Sequence, residues 1–388
     1  MAVPPEVVFS RYFQERFPYI PPVRPEDPDL RPYRGRKDLS GLPPIVQEQL
    51  RTIQETFNEA LRTEKQGVPE HVDHPPFHVD YVDSSIQNAL ALQYGGYSFI
   101  AITVPLIYAI SDVCKRLSKS ATVATLLGVR PSDEEYNELH AVLFYLLTAF
   151  VVAHEYTHHV HGHVSMPSAE TVFPNEILDT GCNGNMKLQI EEIAADGYSI
   201  YHVLANFIDG PGRSWLTLLK LDAKQASVQD EVLFALVVVA VGAYLFVRPA
   251  PDLNDIYELT HPPQAARMNF LMHEAIGWCR QNRTELEAWM KRRFQNLMSA
   301  VAEATLGVSG AHVWEDQTAF FKSEEGAKYI SSLSEHHCIQ AVVMRPLGVK
   351  REATSAQHND LNVRSFVRMS IQNLALLLPS QSKEHSCA

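Results

Sequence analysis

His154, Glu155 and His158 stand in the run AFVVAHEYTHHVHGH and form an HExxH motif. These residue types at this spacing suit a zinc hydrolase. In a helix, positions i and i+4 project from one face, so His154 and His158 can offer imidazole nitrogens to one metal ion. Glu155 follows the first histidine, close enough to reach a water held by that metal. Two imidazoles do not complete a site, and a third protein ligand must come from elsewhere. The chain has 17 histidines, with His140, His159, His161 and His163 near the motif, so a solvated polar helix end is the competing reading. The apolar run AVLFYLLTAFVVA, from Ala141 to Ala153, argues against it. Such a run reads as a buried helix, and two histidines and a carboxylate are costly to bury without partners. The motif begins where that run ends, at the edge of a core, where a cleft can open.

Downstream, Gln189 to Phe207 (QIEEIAADGYSIYHVLANF) reads as a helix with Ile190, Ile193, Ala194 and Tyr198 among its inner-face residues. Glu191 and Glu192 compete for the ligand role. Glu192 is favoured because it lies four residues before Asp196, so the two carboxylates share a face. Glu192 then binds the metal while Asp196 accepts a hydrogen bond from the far nitrogen of a ligand histidine. That contact fixes the tautomer and raises ligand basicity. Glu191 is turned away by about 100°. Ala194 and Ala195 are small enough for this helix to approach the HExxH helix. The competing reading is a surface helix with ordinary acidic residues, but a Glu-Asp pair on an otherwise apolar helix needs partners.

HExxH followed by Glu192 and Asp196 as ExxxD, with Ala195 before the aspartate, resembles the gluzincin metallopeptidases. Thr260-His261-Pro262-Pro263, followed by Arg267, is similar to an element of the HtpX-like and CaaX-prenyl-endopeptidase group. Asn88-Ala89, leading into YGGYSFIAIT and VPLIYAI, resembles a segment that in that group enters an edge strand and then a helix. The run HEYTHHVHGH, with Gly162 and His163, also resembles the peptidase group that includes the phage-exclusion protease Lit. The likeness covers residues 85–270. It implies a mostly helical α+β fold: a gluzincin-type metallopeptidase core whose small sheet carries an edge strand beside the HExxH helix. To the ligands His154, His158 and Glu192, the general base Glu155 and the supporting Asp196, it adds further roles. His261 becomes the donor to the oxyanion, with Tyr198 and Tyr201 in reserve. Arg267 orders His261 or grips substrate, and Asn88 and Ala89 meet substrate at the edge strand. The chain departs from the group in three ways. It lacks a full set of membrane-spanning helices, its stretch between His163 and Glu192 is rich in loop formers, and residues before 70 and after 300 match nothing in the group.

The expected chemistry is that of a zinc-dependent endopeptidase with one Zn2+ per chain and a protein or peptide substrate. Zinc polarises the scissile carbonyl and lowers the pKa of its water toward about 7. Glu155 takes the proton and passes it to the leaving amine. An extended peptide could pair with the edge strand by β-augmentation. Two other readings stay open. One is a non-catalytic zinc or peptide-binding module of the same fold, for which Glu155 would be unnecessary. The other is a zinc amidohydrolase acting on a non-peptide amide.

With 388 residues the chain can bury a sizeable core. A net charge of −12 argues against a nucleic-acid partner, which favours a basic face. Cys114, Cys182, Cys279, Cys338 and Cys387 are scattered and odd in number, as in a reduced cytoplasmic protein. The N-terminus has no basic region leading into a sustained apolar one, so no secretory signal is expected. Val232 to Val247 is sixteen uncharged residues, shorter than the roughly 20 of a spanning helix. A core helix with Leu236 and Val239 covered by protein is expected, with membrane association as the alternative.

Three regions follow: a proline-rich N-terminal arm (1–45), extended and either packed over the body or partly disordered, the metallopeptidase domain (46–305) and a C-terminal extension of mixed helical and irregular segments (306–388). Within them, helices are expected at 45–63, from a Ser132–Glu135 capping box to about 160, and at 189–208, 214–221, 228–248 and 263–305. Residues 165–187 read as a loop over the cleft. His71, Asp73, His74 and His78 read as parts of a polar loop rather than a second metal site.

Overall fold

Proline opens the first helix of this chain, in the segment expected to be an extended arm. The structure is a computed structural model that describes residues 3–19, 31–66, 75–130, 137–164, 186–221, 224–247 and 251–343. Helix α1 spans Pro5–Arg16. Pro5 lies in its first turn, where a missing N–H costs nothing. Val8, Phe9, Tyr12 and Phe13 form one buried stripe. The helix expected from residue 45 is α2, Pro44–Gln66. His71, Asp73 and His74 lie outside the described residues, while His78 is not in a loop but in the strand Phe77–Val82, with Nε2 3.4 Å from Oδ2 of Asp80.

Three strands follow: β1 (Phe77–Val82), β2 (Ala89–Tyr94) and β3 (Tyr97–Thr103). Gly95 and Gly96 take φ of 57° and 83°, as a two-residue hairpin turn requires, and β2 folds back antiparallel on β3. β1 pairs parallel with the other side of β3. The order β1-β3-β2 leaves β2 at an edge, and it packs beside the HExxH helix. The β1 edge is covered by residues 34–37. Arg36 bridges Val82, while Arg34 and Lys37 pair with Asp83 and Arg36 with Asp80. Side chains alternate across the sheet. Val82, Leu90, Leu92, Phe99 and Ala101 meet α1, whereas Val79, Tyr81, Ala89, Ile100 and Ile102 join the main helical core.

Helix α3 (Val104–Lys119) leaves β3 directly, with Thr103 as its cap and Pro105 in its first turn. After α4 (Ala121–Leu127) comes α5 (Glu138–Val160), which carries the motif. The expected Ser132–Glu135 capping box lies outside the described residues. The observed cap is Asn137, whose Oδ1 accepts from the His140 N–H at 3.0 Å. Residues 165–185 of the expected loop are likewise outside the description. α6 (Met186–Leu204) carries Glu192 and Asp196 and runs into a π-helical turn, Ala205–Asp209.

α7 (Trp215–Leu218) is short, and α8 (Ala226–Val247) is buried without interruption from Val232 to Phe246. α5 and α8 are each long and apolar enough to cross a membrane, yet 83% and 89% of their most apolar stretches are covered by the protein itself. Leu236 and Val239 are fully buried.

The single helix expected over 263–305 is two helices, α9 (Gln264–Asn282) and α10 (Thr284–Leu306). The break is at Arg283, whose backbone is extended (φ −153°, ψ 72°) and whose guanidinium pairs with Asp209 and Asp230. α11 (Val308–Phe321) and α12 (Glu324–Val343) continue the helical stack beyond residue 306. The fold is therefore α+β and mostly helical, with one small three-stranded mixed sheet among the described residues.

Candidate metal centre

α5 and α6 cross where their side chains are small. Ala195 and Ser199 on α6 and Thr157 on α5 are fully buried, and the two hydroxyls lie 3.5 Å apart. This close approach sets Glu192 against both motif histidines. Nε2 of His154 and Nε2 of His158 are 3.1 Å apart. Glu192 places Oε2 at 3.2 Å from Nε2 of His154 and Oε1 at 3.4 Å from Nε2 of His158. Tetrahedral ligands at about 2.0–2.1 Å from zinc stand about 3.3 Å from one another, so the three side chains fit a zinc ion. Oε2 of Glu192 is buried and receives no well-formed hydrogen bond. A buried anionic oxygen in that state is costly unless a cation compensates it. His154, His158 and Glu192 thus form a buried group that could hold a metal ion.

Electrostatics favours the liganding form of the carboxylate. Burial alone would raise the Glu192 pKa, but the imidazoles around it, His261 and His154 foremost, outweigh burial and hold it well below the ordinary carboxylate range. Behind His154, Oδ1 of Asp196 lies 3.1 Å from Nδ1. Asp196 in turn accepts two hydrogen bonds from Arg267, at 2.7 and 2.6 Å. Burial pushes the Asp196 carboxyl up, and the charge and hydrogen bonds of Arg267, with those of His154, more than offset it and hold it low. Behind His158, Nδ1 lies 3.0 Å from Nδ1 of His163. Burial, followed by the neighbouring His158 and His161, lowers the His163 pKa far below its ordinary value. Glu155 is buried beside His154 on α5.

The structure brings His154, Glu155, His158, Glu192, Asp196, His261 and Arg267 into one buried region. Nε2 of His261 is 3.5 Å from Oε2 of Glu192, and its Nδ1 is 2.8 Å from Oγ1 of Thr260. Three placements differ from expectation. Arg267 was to order His261 or grip substrate, but it is 1% exposed, its Nε and Nη2 are bound to Asp196 and Glu192 lies 3.9 Å away, so it presents no exposed group to grip a substrate. Asn88 and Ala89 stand at the start of the edge strand with side chains fully buried. Asn88 Nδ2 donates to the Tyr33 hydroxyl at 2.9 Å, and Ala89 packs into the main core. Neither side chain is presented to a substrate; what β2 can offer is its backbone.

Several positioning residues were missed. His159, the third histidine of the run, places Nε2 2.9 Å from the Phe99 carbonyl and fastens the motif helix to β3. Gln189 donates to the carbonyls of Ile256 and Leu259 at 2.9 and 2.8 Å, tying the start of α6 to the segment before His261. Tyr329 on α12 donates to Gln189. Gln317 on α11 accepts from the Ala265 N–H at 3.0 Å and donates to Gln264 at 2.6 Å, holding the first turn of α9. A glutamine on the inner face of α6 was a readable signal. Gln317 and Tyr329 gave none, because their partners lie 52 and 140 residues away.

No protein-family model matches the chain, and neither the curated proteins nor the solved structures contain a match. The likeness to gluzincins therefore rests on the motif residues. Fold and site together define a mostly helical α+β protein with a buried His/His/Glu group suited to a metal ion.

Proposed function

We propose that this chain is a zinc-dependent endopeptidase, with one Zn2+ held by His154, His158 and Glu192. The observation that carries the reading is the donor geometry: separations of 3.1, 3.2 and 3.4 Å between two imidazoles and a carboxylate, with Glu155 beside the first ligand. A zinc ion bound there supplies Lewis-acid activation of water and of a carbonyl. Glu155 acts as general base, taking a proton from the attacking water and returning it to the leaving amine. His261 is the donor assigned to the developing oxyanion. If the Thr260 hydroxyl donates to Nδ1 of His261, Nε2 carries the proton and faces the metal group. Asp196 and Arg267 hold His154 in the tautomer that leaves Nε2 free to bind.

A peptide substrate is favoured by β2, an edge strand whose outer side pairs with no other strand among the described residues. An extended segment can add there through main-chain hydrogen bonds. A cytoplasmic location and the lack of a nucleic-acid partner belong to the same proposal and rest on cysteine usage and a net charge of −12. The test compares wild type with Glu155→Gln in a proteome-wide search for new termini. Glu155→Gln is expected to keep zinc and lose at least roughly a hundredfold in cleavage rate. Full activity in that variant would assign the base elsewhere. Zinc without any cut sites in the wild type would favour a binding module.

A further inference from the structure

Helix α5 ends in a turn that does more than stop it. His161 is the last residue of the helix cap, and Gly162 follows with φ of 71°, the left-handed conformation favoured after a helix. The Gly162 N–H donates to the His159 carbonyl at 3.1 Å, and the His163 N–H to the His158 carbonyl at 2.9 Å. This pair of bonds is the Schellman motif. It sets the side chain two places beyond the helix over the side chain three places before its end. That contact is frequently apolar, and an apolar residue would close the helix equally well. Here the two side chains are His163 and His158, and they meet through Nδ1 and Nδ1 at 3.0 Å.

We infer that His163 is the positioning residue for the ligand His158, accepting a hydrogen bond from its Nδ1 and so committing its Nε2 to a metal. The inference rests on the reading of His154, His158 and Glu192 as a zinc site. The chemistry allows two arrangements of one proton between the rings. If His163 donates, the His158 proton sits on Nε2 and the lone pair needed by a metal is gone. If His158 donates, Nε2 is free, His163 is neutral and its own proton is on Nε2. Metal binding selects the second arrangement. The two ligand histidines are then held by different partners, His154 by a carboxylate backed by arginine and His158 by a neutral imidazole. The supporting imidazole lies on the same helix end as the ligand, so the turn geometry alone delivers it. A Cβ at position 162 would meet nothing within 4 Å, and glycine is needed there for its φ and not for space.

The experiment measures zinc affinity by competition with a chromophoric chelator in the full chain, for wild type, His163→Ala and His163→Asn, with thermal unfolding of the zinc-free proteins alongside. Asparagine Oδ1 occupies the place of Nδ1 and can accept the same hydrogen bond. His163→Ala is expected to weaken zinc binding by about 10- to 100-fold, and His163→Asn to restore most of that loss, with zinc-free melting alike in all three. Wild-type affinity in His163→Ala would overturn the inference. Equal losses in both variants, with or without lower melting, would also overturn it, because ring packing and not the acceptor would then matter. A wild type that takes up no zinc would instead refute the metal site itself, before either variant is compared.

Discussion

Arg267 is the residue whose type was legible and whose direction was not. The resemblance implied a group that orders His261 or grips substrate, yet Ala265, Ala266, Arg267 and Met268 are all buried in succession. A helix covered on every side has no periodicity from which to read an outward face. The ligand set was more legible, because HExxH and the Glu192–Asp196 interval fix relative directions within single helices. The Arg267–Asp196 pair is buried on both sides, so removing one partner leaves an uncompensated charge. Arg267→Leu is expected to destabilise the protein by about 3–5 kcal/mol in denaturant unfolding. Adding Asp196→Asn to that variant should recover part of the loss, and simple additivity of the two losses would contradict the pairing. Asp196→Asn alone, which leaves Arg267 as the unpaired buried charge, is expected to lower stability without abolishing folding and to weaken zinc affinity by about 10- to 100-fold. Unchanged affinity would mean that the carboxylate contributes nothing to His154 as a ligand.

Elements with a strong local signal are where the sequence placed them. The apolar run before His154 marks a buried helix, whereas the Gly95-Gly96 hairpin signal between two apolar runs went unread. The misread elements are those whose signal is long-range. Pro4-Pro5 begins a helix because the sheet offers an apolar face for Phe9 and Phe13 to cover. The α9–α10 break depends on Asp209 and Asp230, which no local pattern links to Arg283. His140 makes a further long-range tie, with Nε2 3.1 Å from the Ser111 carbonyl on α3. Burial lowers its pKa from 6.5 to about 4. Between those values the unfolded chain takes up a proton that the folded chain refuses. The stabilisation is complete above pH 6.5 and drains away as pH falls toward 4, by up to about 3 kcal/mol. In zinc-free protein, His140→Gln should therefore show a shallower loss of stability across that window than wild type. Parallel pH profiles for the two proteins would show that His140 does not titrate with folding.

At the scale of the whole molecule, one core is shared by α3, α5, α8, α9 and α10, and α5 carries His154 and His158, two of the three residues of the candidate metal group, toward its C-terminal end. α8 is the most apolar helix and is covered by protein on all sides, as a short uncharged run flanked by polar sequence suggested. We expect the chain to remain in the supernatant when a native lysate is ultracentrifuged without detergent. Recovery chiefly in a carbonate-resistant membrane pellet would overturn that expectation. The contribution of residues 308–343 was not legible, since α11 and α12 reach the site through Gln317, Tyr329 and Gln189. The proposed function makes one requirement of this arrangement, that His154, His158 and Glu192 hold a cation. Zinc content per chain, measured by mass spectrometry on purified wild type and on the double variant His154→Ala/His158→Ala, tests that requirement most directly. About one zinc per chain is expected in the wild type and none above background in the double variant. A wild type without zinc, or a double variant that retains it in full, would contradict the assignment of the site.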